Sequence, residues 1–69
     1  MILMSIVETI RNRRANLGIS QQDLAELSGI SLATIKNIER GAGNPSFATV
    51  NKILDVLGIE ILFSVRKTV

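Results

Sequence analysis

The sequence predicts a mainly α-helical domain in which four short helices precede one β-strand. Serine and glycine alternate along the chain at spacings typical of helix starts and helix ends. Apolar residues recur between them at helical spacing, and after Gly58 the period changes to two, with Ile59, Ile61, Phe63 and Val65 on one side. We therefore expect a single domain over residues 1–69, with a helical core at about 5–58 and a strand at about 59–66.

Each predicted helix begins at a serine and ends at a glycine. A serine hydroxyl can accept a hydrogen bond from an unpaired amide of the first turn, and glycine readily takes the left-handed conformation that closes a helix. Ser5 with Glu8 and Ser20 with Asp23 have the spacing of capping boxes. The four predicted segments are 5–18, 20–29, 31–41 and 46–58.

The apolar residues within these segments predict the core. We expect Phe47 and Phe63 to pack inside as well, and the chain has no tryptophan or tyrosine. Single-stranded nucleic acid is therefore a poor ligand, because its bases need exposed aromatic rings for stacking. The expected core residues are Ile6, Ile10, Leu17, Leu24, Leu27, Ile35, Ile38, Val50, Ile53, Leu54 and Leu57.

The composition argues against catalysis. The chain contains neither cysteine nor histidine, which removes disulfides, thiol nucleophiles, imidazole bases and the usual zinc ligands. It also has no glycine-rich phosphate loop and no carboxylate pair at catalytic spacing. We expect no enzyme activity, no metal and no cofactor.

Net charge and the N-terminal residues say little about partners. A formal charge of +2 is too small to indicate nucleic acid without considering where the charges lie. The apolar start gives way to Ser5 and Glu8 before a secretory signal or a membrane span is complete. We expect a cytoplasmic protein with no membrane contact.

The second and third segments are separated by a very short turn. Only Gly29 and Ile30 lie between Ser28 and the next cap, Ser31, and Ala25 is small enough for two helices to cross closely. This is the spacing of a helix-turn-helix.

The chain resembles the lambda-repressor-like, Xre-type family of helix-turn-helix domains over roughly residues 5–58. The resemblance implies a compact bundle whose third helix enters the major groove of DNA. It also implies a DNA contact at Gln21, and backbone contacts to phosphate around Gly43, Asn44 and Ser46. The matching stretches are 20–25 (SQQDLA), 29–31 (GIS), 35–41 (IKNIERG), 44–45 (NP) and 57–58 (LG).

The third predicted helix has a polar, basic surface opposite Ile35 and Ile38. Asn37 can pair with adenine through two hydrogen bonds, and Lys36 and Arg40 can reach guanine or phosphate. The alternative is an ordinary solvated surface. The expected base contacts, two of them apolar for thymine methyl groups, are Gln21, Leu32, Ala33, Lys36 and Asn37. The expected phosphate contacts are Gln22, Thr34, Arg40, Gly43, Asn44 and Ser46.

Two charged residues of opposite sign fall on inward-facing positions. Arg14 lies on the apolar stripe of the first helix, and Glu39 lies one turn after Ile35. Because an isolated buried charge is costly, we expect the two to form an ion pair that ties the first helix to the third. Arg11 and Arg13 lie off this stripe and are either solvated or facing phosphate.

The predicted strand requires a partner, because its backbone groups cannot be satisfied within a helical domain. We expect two copies to pair their strands about a twofold axis, which forms a homodimer for an inverted-repeat operator with half-sites about 34–36 Å apart. The alternative is pairing with residues 2–4 of the same chain or of its partner. The expected interface residues are Ile59, Ile61, Phe63 and Val65.

Residues 53–61 (ILDVLGIEI) resemble the HipB-type antitoxin subgroup. This resemblance implies a repressor of its own operon that also binds a HipA-type toxin kinase. One alternative is a stand-alone repressor of phage or metabolic type. Another is a protein-binding module that keeps the fold without binding DNA, which predicts no salt-dependent duplex binding.

Overall fold

The computed structural model describes residues 4–62 and 65, and this part of the chain contains four α-helices. Helix α2 packs against α3 and α4, and α1 packs against α3. The prediction of a mainly helical, four-helix domain is confirmed. The helices are α1 (Met4–Leu17), α2 (Gln21–Ser28), α3 (Leu32–Glu39) and α4 (Phe47–Val56).

Serine caps begin three of the helices. The Ser20 hydroxyl oxygen accepts a hydrogen bond from the backbone N–H of Asp23, and the Asp23 carboxylate accepts one from the backbone N–H of Ser20, both at 2.9 Å. This is a complete capping box. The backbone and hydroxyl hydrogen bonds from Ser20 lower the pKa of Asp23. Ser31 and Ser46 cap α3 and α4 in the same way through their hydroxyl oxygens.

The prediction that Ser5 caps the first helix is wrong. Helix α1 already includes Met4, so Ser5 lies inside the first turn and its carbonyl accepts a hydrogen bond from the Thr9 hydroxyl at 2.6 Å. Methionine is a good helix former, and a helix that extends upstream removes the unpaired amide that a serine cap would satisfy.

The buried core draws residues from all four helices. Three predicted core residues are instead exposed: Leu17 by 44%, Leu27 by 64% and Phe47 by 60%. Leu17 and Phe47 are terminal residues of their helices, where packing neighbours lie on one side only, and Leu27 lies beyond the edge of the inward stripe of α2. The buried apolar residues are Val7, Ile10, Leu24, Ala25, Ile35, Ile38, Val50, Ile53, Leu54 and Leu57.

The segment after α4 forms no strand at residues 59–62 and 65, the part of it that the structure describes. The Ile59 N–H donates to the Leu54 carbonyl at 2.9 Å, and the Ile59 and Ile61 side chains pack on the core. Leu62 and Val65 are 85% and 99% exposed. An isolated chain offers this segment no second strand to pair with.

Two further expectations about strand pairing concern residues near the ends of the chain. Phe63, a predicted interface residue, lies outside the described residues, as do Ile2 and Leu3. Met4 belongs to α1, so it is helical and does not pair with the C-terminal segment as a strand.

The capping box predicts a pH dependence of stability. The Ser20→Ala variant is expected to lose about 1 kcal/mol of unfolding free energy at neutral pH, the usual cost of removing a serine cap. Because folding lowers the pKa of Asp23, its contribution is present above the unfolded pKa of about 3.9 and is lost as the pH falls through the folded pKa. An Asp23→Ala variant lacks the carboxylate that accepts from the Ser20 N–H, so the difference in unfolding free energy between wild type and Asp23→Ala should narrow in acid, as measured by urea unfolding.

The matched control for this experiment is Ser5→Ala, because Ser5 lies within a helix and caps nothing among the described residues. Its effect should stay within about 0.5 kcal/mol at every pH. An Asp23→Ala effect that is independent of pH would contradict the role assigned to Asp23.

Candidate nucleic-acid interface

The turn between α2 and α3 sets the position of the exposed helix surface. Gly29 has φ of 73°, a left-handed conformation, and its N–H closes α2 on the Ala25 carbonyl at 3.0 Å. Ala25 is buried, and Ile30 packs on the core from within the turn. The chain can therefore turn within two residues and begin α3 after the Ser31 cap.

The outer side of α3 is polar and basic. Lys36 and Arg40 are exposed, as is Ala33, whereas Ile35 and Ile38 on the other side are almost fully buried. Five of the predicted DNA contacts, those at positions 33, 34, 36, 37 and 40, thus share one accessible surface or its margin.

Leu32 and Thr34 are less accessible than their neighbours on this helix. Leu32 is half-buried and packs on the core, so only part of its side chain faces outward. Thr34 is also half-buried, and its hydroxyl oxygen accepts a hydrogen bond from the Ser31 hydroxyl at 2.9 Å. Both residues therefore have a structural contact in addition to any contact with DNA.

Asn37 and Arg40 are joined by two hydrogen bonds. Both Nε and Nη2 of Arg40 donate to Oδ1 of Asn37, at 3.1 and 2.7 Å. Residues three apart on a helix lie close together on one side, which allows this contact. The side-chain oxygen of Asn37 is therefore occupied, a constraint that periodicity in the sequence does not reveal.

The two glutamines that begin α2 differ in environment. Gln21 is half-buried, and its Nε2 donates to Oε1 of Glu39 at 3.3 Å. Gln22 is exposed, and its Nε2 donates to Oε1 of Glu26 at 3.1 Å. Gln21 is thus positioned by the interior of the domain, whereas Gln22 makes an ordinary contact along its own helix surface.

The loop between α3 and α4 approaches the exposed side of α3. A shallow groove of about 200 Å³ is lined by Thr34 and Asn37 on one side and by Gly43 and Asn44 on the other. Ser46 follows as the cap of α4, where its hydroxyl oxygen accepts a hydrogen bond from the Thr49 N–H at 3.1 Å. The structure therefore places the predicted loop contacts beside those of α3.

Arg14 and Glu39 form a two-pronged ion pair. Nε of Arg14 donates to Oε2 of Glu39 at 2.7 Å, and Nη2 donates to Oε1 at 2.9 Å. Arg14 also donates from Nη1 to the Ile19 carbonyl at 3.0 Å. The Arg14 and Glu39 side chains are only 20% and 4% exposed, and the hydrogen bond that Arg14 donates to Glu39 raises the pKa of Arg14. This pair joins α1 to the end of α3.

Arg13 has a contact that sequence reasoning missed. Its Nε donates to the Leu57 carbonyl at 2.8 Å, at the C-terminal end of α4. A cation at this end of a helix satisfies an unpaired carbonyl and faces the negative end of the helix dipole. Arg13 therefore faces its own fold through this contact. No periodicity in α1 could identify it, because the contact depends on where α4 ends in space.

The described residues contain no cluster of acidic side chains that could hold a metal ion. In the same residues, every helix is too short or too polar to cross a bilayer.

Comparisons with known proteins identify the family. A family model described as helix-turn-helix matches residues 10–63. An uncharacterized HTH-type transcriptional regulator of Haemophilus influenzae is 38% identical over 55 residues, 80% of this chain and 56% of that protein. One from Methanothermobacter thermautotrophicus is 39% identical over 51 residues, 74% of each chain. The cryptic phage CTXphi transcriptional repressor RstR of Vibrio cholerae is 38% identical over 58 residues.

The relatives differ in length from this chain. The matched part is 84% of this chain and 52% of RstR. This chain thus spans about half the length of the Haemophilus and Vibrio relatives.

Removing one member of the buried ion pair should destabilise the fold. Arg14→Met leaves the Glu39 carboxylate buried without its guanidinium, and we expect a loss of about 3 kcal/mol in unfolding free energy. The double variant Arg14→Met, Glu39→Met should recover most of this loss, because no unpaired charge remains. Urea unfolding measures both, with an osmolyte added to all samples if the single variant is unfolded in buffer.

Arg11→Met is the matched control, since Arg11 is an exposed arginine of the same helix. We expect it to change the unfolding free energy by about 0.5 kcal/mol or less. If Arg14→Met were no more harmful than this control, the ion pair would not stabilise the fold.

Proposed function

The chain belongs to the helix-turn-helix family, and on this premise we propose that it regulates transcription by binding double-stranded DNA as a homodimeric repressor. The observation that best supports the proposal is the outer side of α3, where Lys36 and Arg40 are exposed on either side of Asn37. The names of the relatives, which are transcriptional regulators and a repressor, agree with it.

In the proposed complex α3 lies in the major groove. Gln21, Leu32, Ala33, Lys36 and Asn37 contact base edges. The exposed methyl of Ala33 and the outward part of Leu32 suit thymine methyl groups. Lys36 suits guanine or a phosphate.

The phosphate contacts surround this helix. Arg40 provides charge at the end of α3, and Gly43 and Asn44 approach from the loop across the shallow groove. Gln22 and Ser46 lie at the first turns of α2 and α4, where backbone amides and the helix dipole favour an anion. Thr34 completes this set from the margin of α3.

The homodimer is proposed to form through the C-terminal segment, residues 59–66. Ile59 and Ile61 line an apolar groove of about 260 Å³ with Ile6 and Leu54, while Val65 projects into solvent. Pairing with a second copy would satisfy the backbone of this segment and bury its exposed side chains. A domain of this size also gains stability from association, because its own core is small.

Two kinds of repressor fit this proposal. The resemblance of residues 53–61 to HipB-type antitoxins favours an autoregulating antitoxin whose partner is a HipA-type toxin kinase. The name of RstR, a phage repressor, favours a stand-alone repressor. Purification of the protein from its native cells separates the two, because only the antitoxin should carry a stoichiometric kinase-like partner.

A protein-binding module on the same fold is the alternative outside DNA binding. It predicts no salt-dependent affinity for duplex DNA, whereas a repressor should lose affinity steeply as salt is raised.

Selection of duplexes from a random pool tests the proposed DNA recognition. We expect an inverted-repeat consensus, bound in a salt-dependent manner. Asn37→Ala should reduce discrimination at one position per half-site by about 1–3 kcal/mol, because a side chain that contacts a base edge is removed. Lys52→Ala, on an exposed part of α4 outside the proposed interface, is the control. Retention of every base preference in Asn37→Ala would contradict the placement of α3.

Val65→Asp tests the proposed dimer. Val65 is 99% exposed in the single chain, so the substitution should leave the fold intact while placing two carboxylates in a paired interface. We expect sedimentation to show a monomer and the affinity for the full operator to fall by about 10²-fold or more, since the two half-sites are no longer bound together. Leu27→Asp, at another exposed apolar residue, should remain dimeric. A dimeric Val65→Asp protein would exclude pairing through this segment.

A further inference from the structure

The contact between Arg40 and Asn37 fixes which way the asparagine amide points. Two donors of Arg40 converge on Oδ1 of Asn37, with the shorter bond at 2.7 Å. Arg40 is also the C-cap residue that follows α3, where a cation faces the negative end of the helix dipole. The position of the guanidinium is therefore favoured independently of its contact with the amide.

This arrangement leaves Asn37 with donors only. A carbonyl oxygen has two lone pairs, and two N–H groups of Arg40 already occupy those of Oδ1. The other hydrogen-bonding group of the side chain is the NH₂ at Nδ2, which can only donate. The side chain thus presents an NH₂ group to a partner outside the protein.

The base edges of DNA respond differently to such a group. Adenine is recognised by asparagine through one accepted and one donated hydrogen bond, and the accepting atom would be Oδ1. Guanine presents two adjacent acceptors, O6 and N7, and no donor on this part of its edge, so an NH₂ group can donate to it without meeting a second donor, as it would at N6 of adenine. Cytosine presents a donor, its N4 amino group, which would face the NH₂ donor of Asn37 without forming a hydrogen bond.

We propose that Arg40 is a positioning residue that sets the base preference of Asn37, so that Asn37 selects guanine rather than the adenine expected from the sequence. The inference rests on the DNA binding proposed above. It is compatible with a phosphate contact by Arg40, because guanidinium has five N–H donors and only two of them are used on Asn37.

Measurement of dissociation constants at a single base pair tests the inference. The relevant position in each half-site is the one whose preference disappears in Asn37→Ala. Duplexes with each of the four bases at that position are then bound by wild type, by Arg40→Met and by Lys52→Met. Methionine keeps an unbranched aliphatic chain but has no donor for Oδ1, and Lys52→Met removes one positive charge from an exposed site elsewhere.

For the wild-type protein we expect the duplex with guanine at this position to bind about tenfold more tightly than the duplex with adenine, and the duplex with cytosine to bind most weakly. Arg40→Met should weaken binding to all four duplexes. It should also make the adenine duplex bind as tightly as the guanine duplex or more tightly, because the Asn37 amide can then rotate. Lys52→Met should keep the wild-type order. A wild-type preference for adenine, or a guanine preference unchanged in Arg40→Met, would overturn the inference.

A measurement on the free protein separates this inference from the proposed function. By NMR, the Nε proton of Arg40 should exchange with water several-fold more slowly in wild type than in Asn37→Ala, with the exposed Arg11 as an internal reference. An unchanged exchange rate would overturn the inference even if DNA binds specifically. Failure to select any duplex would contradict the proposed DNA binding and this inference together, whereas adenine selection contradicts the inference alone.

Discussion

The ion pair between Arg14 and Glu39 fixes the position of α3, and the candidate interface depends on that position. Helix α3 has eight residues, too few to be stable in isolation, so packing must determine its orientation. Glu39 accepts hydrogen bonds from Arg14 in α1 and from Gln21 in α2. One nearly buried carboxylate thereby connects three helices. Its burial is tolerated because both of its oxygens have partners.

The inward direction of Glu39 determines what the other side of α3 presents. Because Glu39 must face Arg14, the helix cannot rotate about its axis without breaking the pair. Ile35 and Ile38 are then held in the core, while Lys36 and Arg40 project into solvent. A surface held in this way can approach a rigid ligand without first being ordered, which reduces the entropic cost of binding.

Much of this arrangement could be predicted from the sequence, because it depends on local rules. Serine caps, helix-ending glycines and apolar spacing identify α2, α3 and α4, and the opposite charges on two apolar stripes pointed to the contact of Arg14 with Glu39. Contacts made by residues outside the apolar, inward-facing rows of the helices could not be predicted in the same way. The bond from Arg13 to the end of α4 and the bond from Arg40 to Asn37 depend on rotamers and on distances between elements, which periodicity does not encode.

The same distinction explains why four helices were predicted correctly and the strand is not seen in the described residues. A helix forms its hydrogen bonds within one segment, so a sequence pattern that favours it is sufficient for a single chain. A strand forms its hydrogen bonds with another segment, so alternation only states which side chains would share a face. In this chain the alternating segment begins at Ile59, and its first side chains already pack on the helical core. Its backbone can therefore become part of a sheet only when a second segment is supplied, so in the proposed dimer strand formation and association would be a single event.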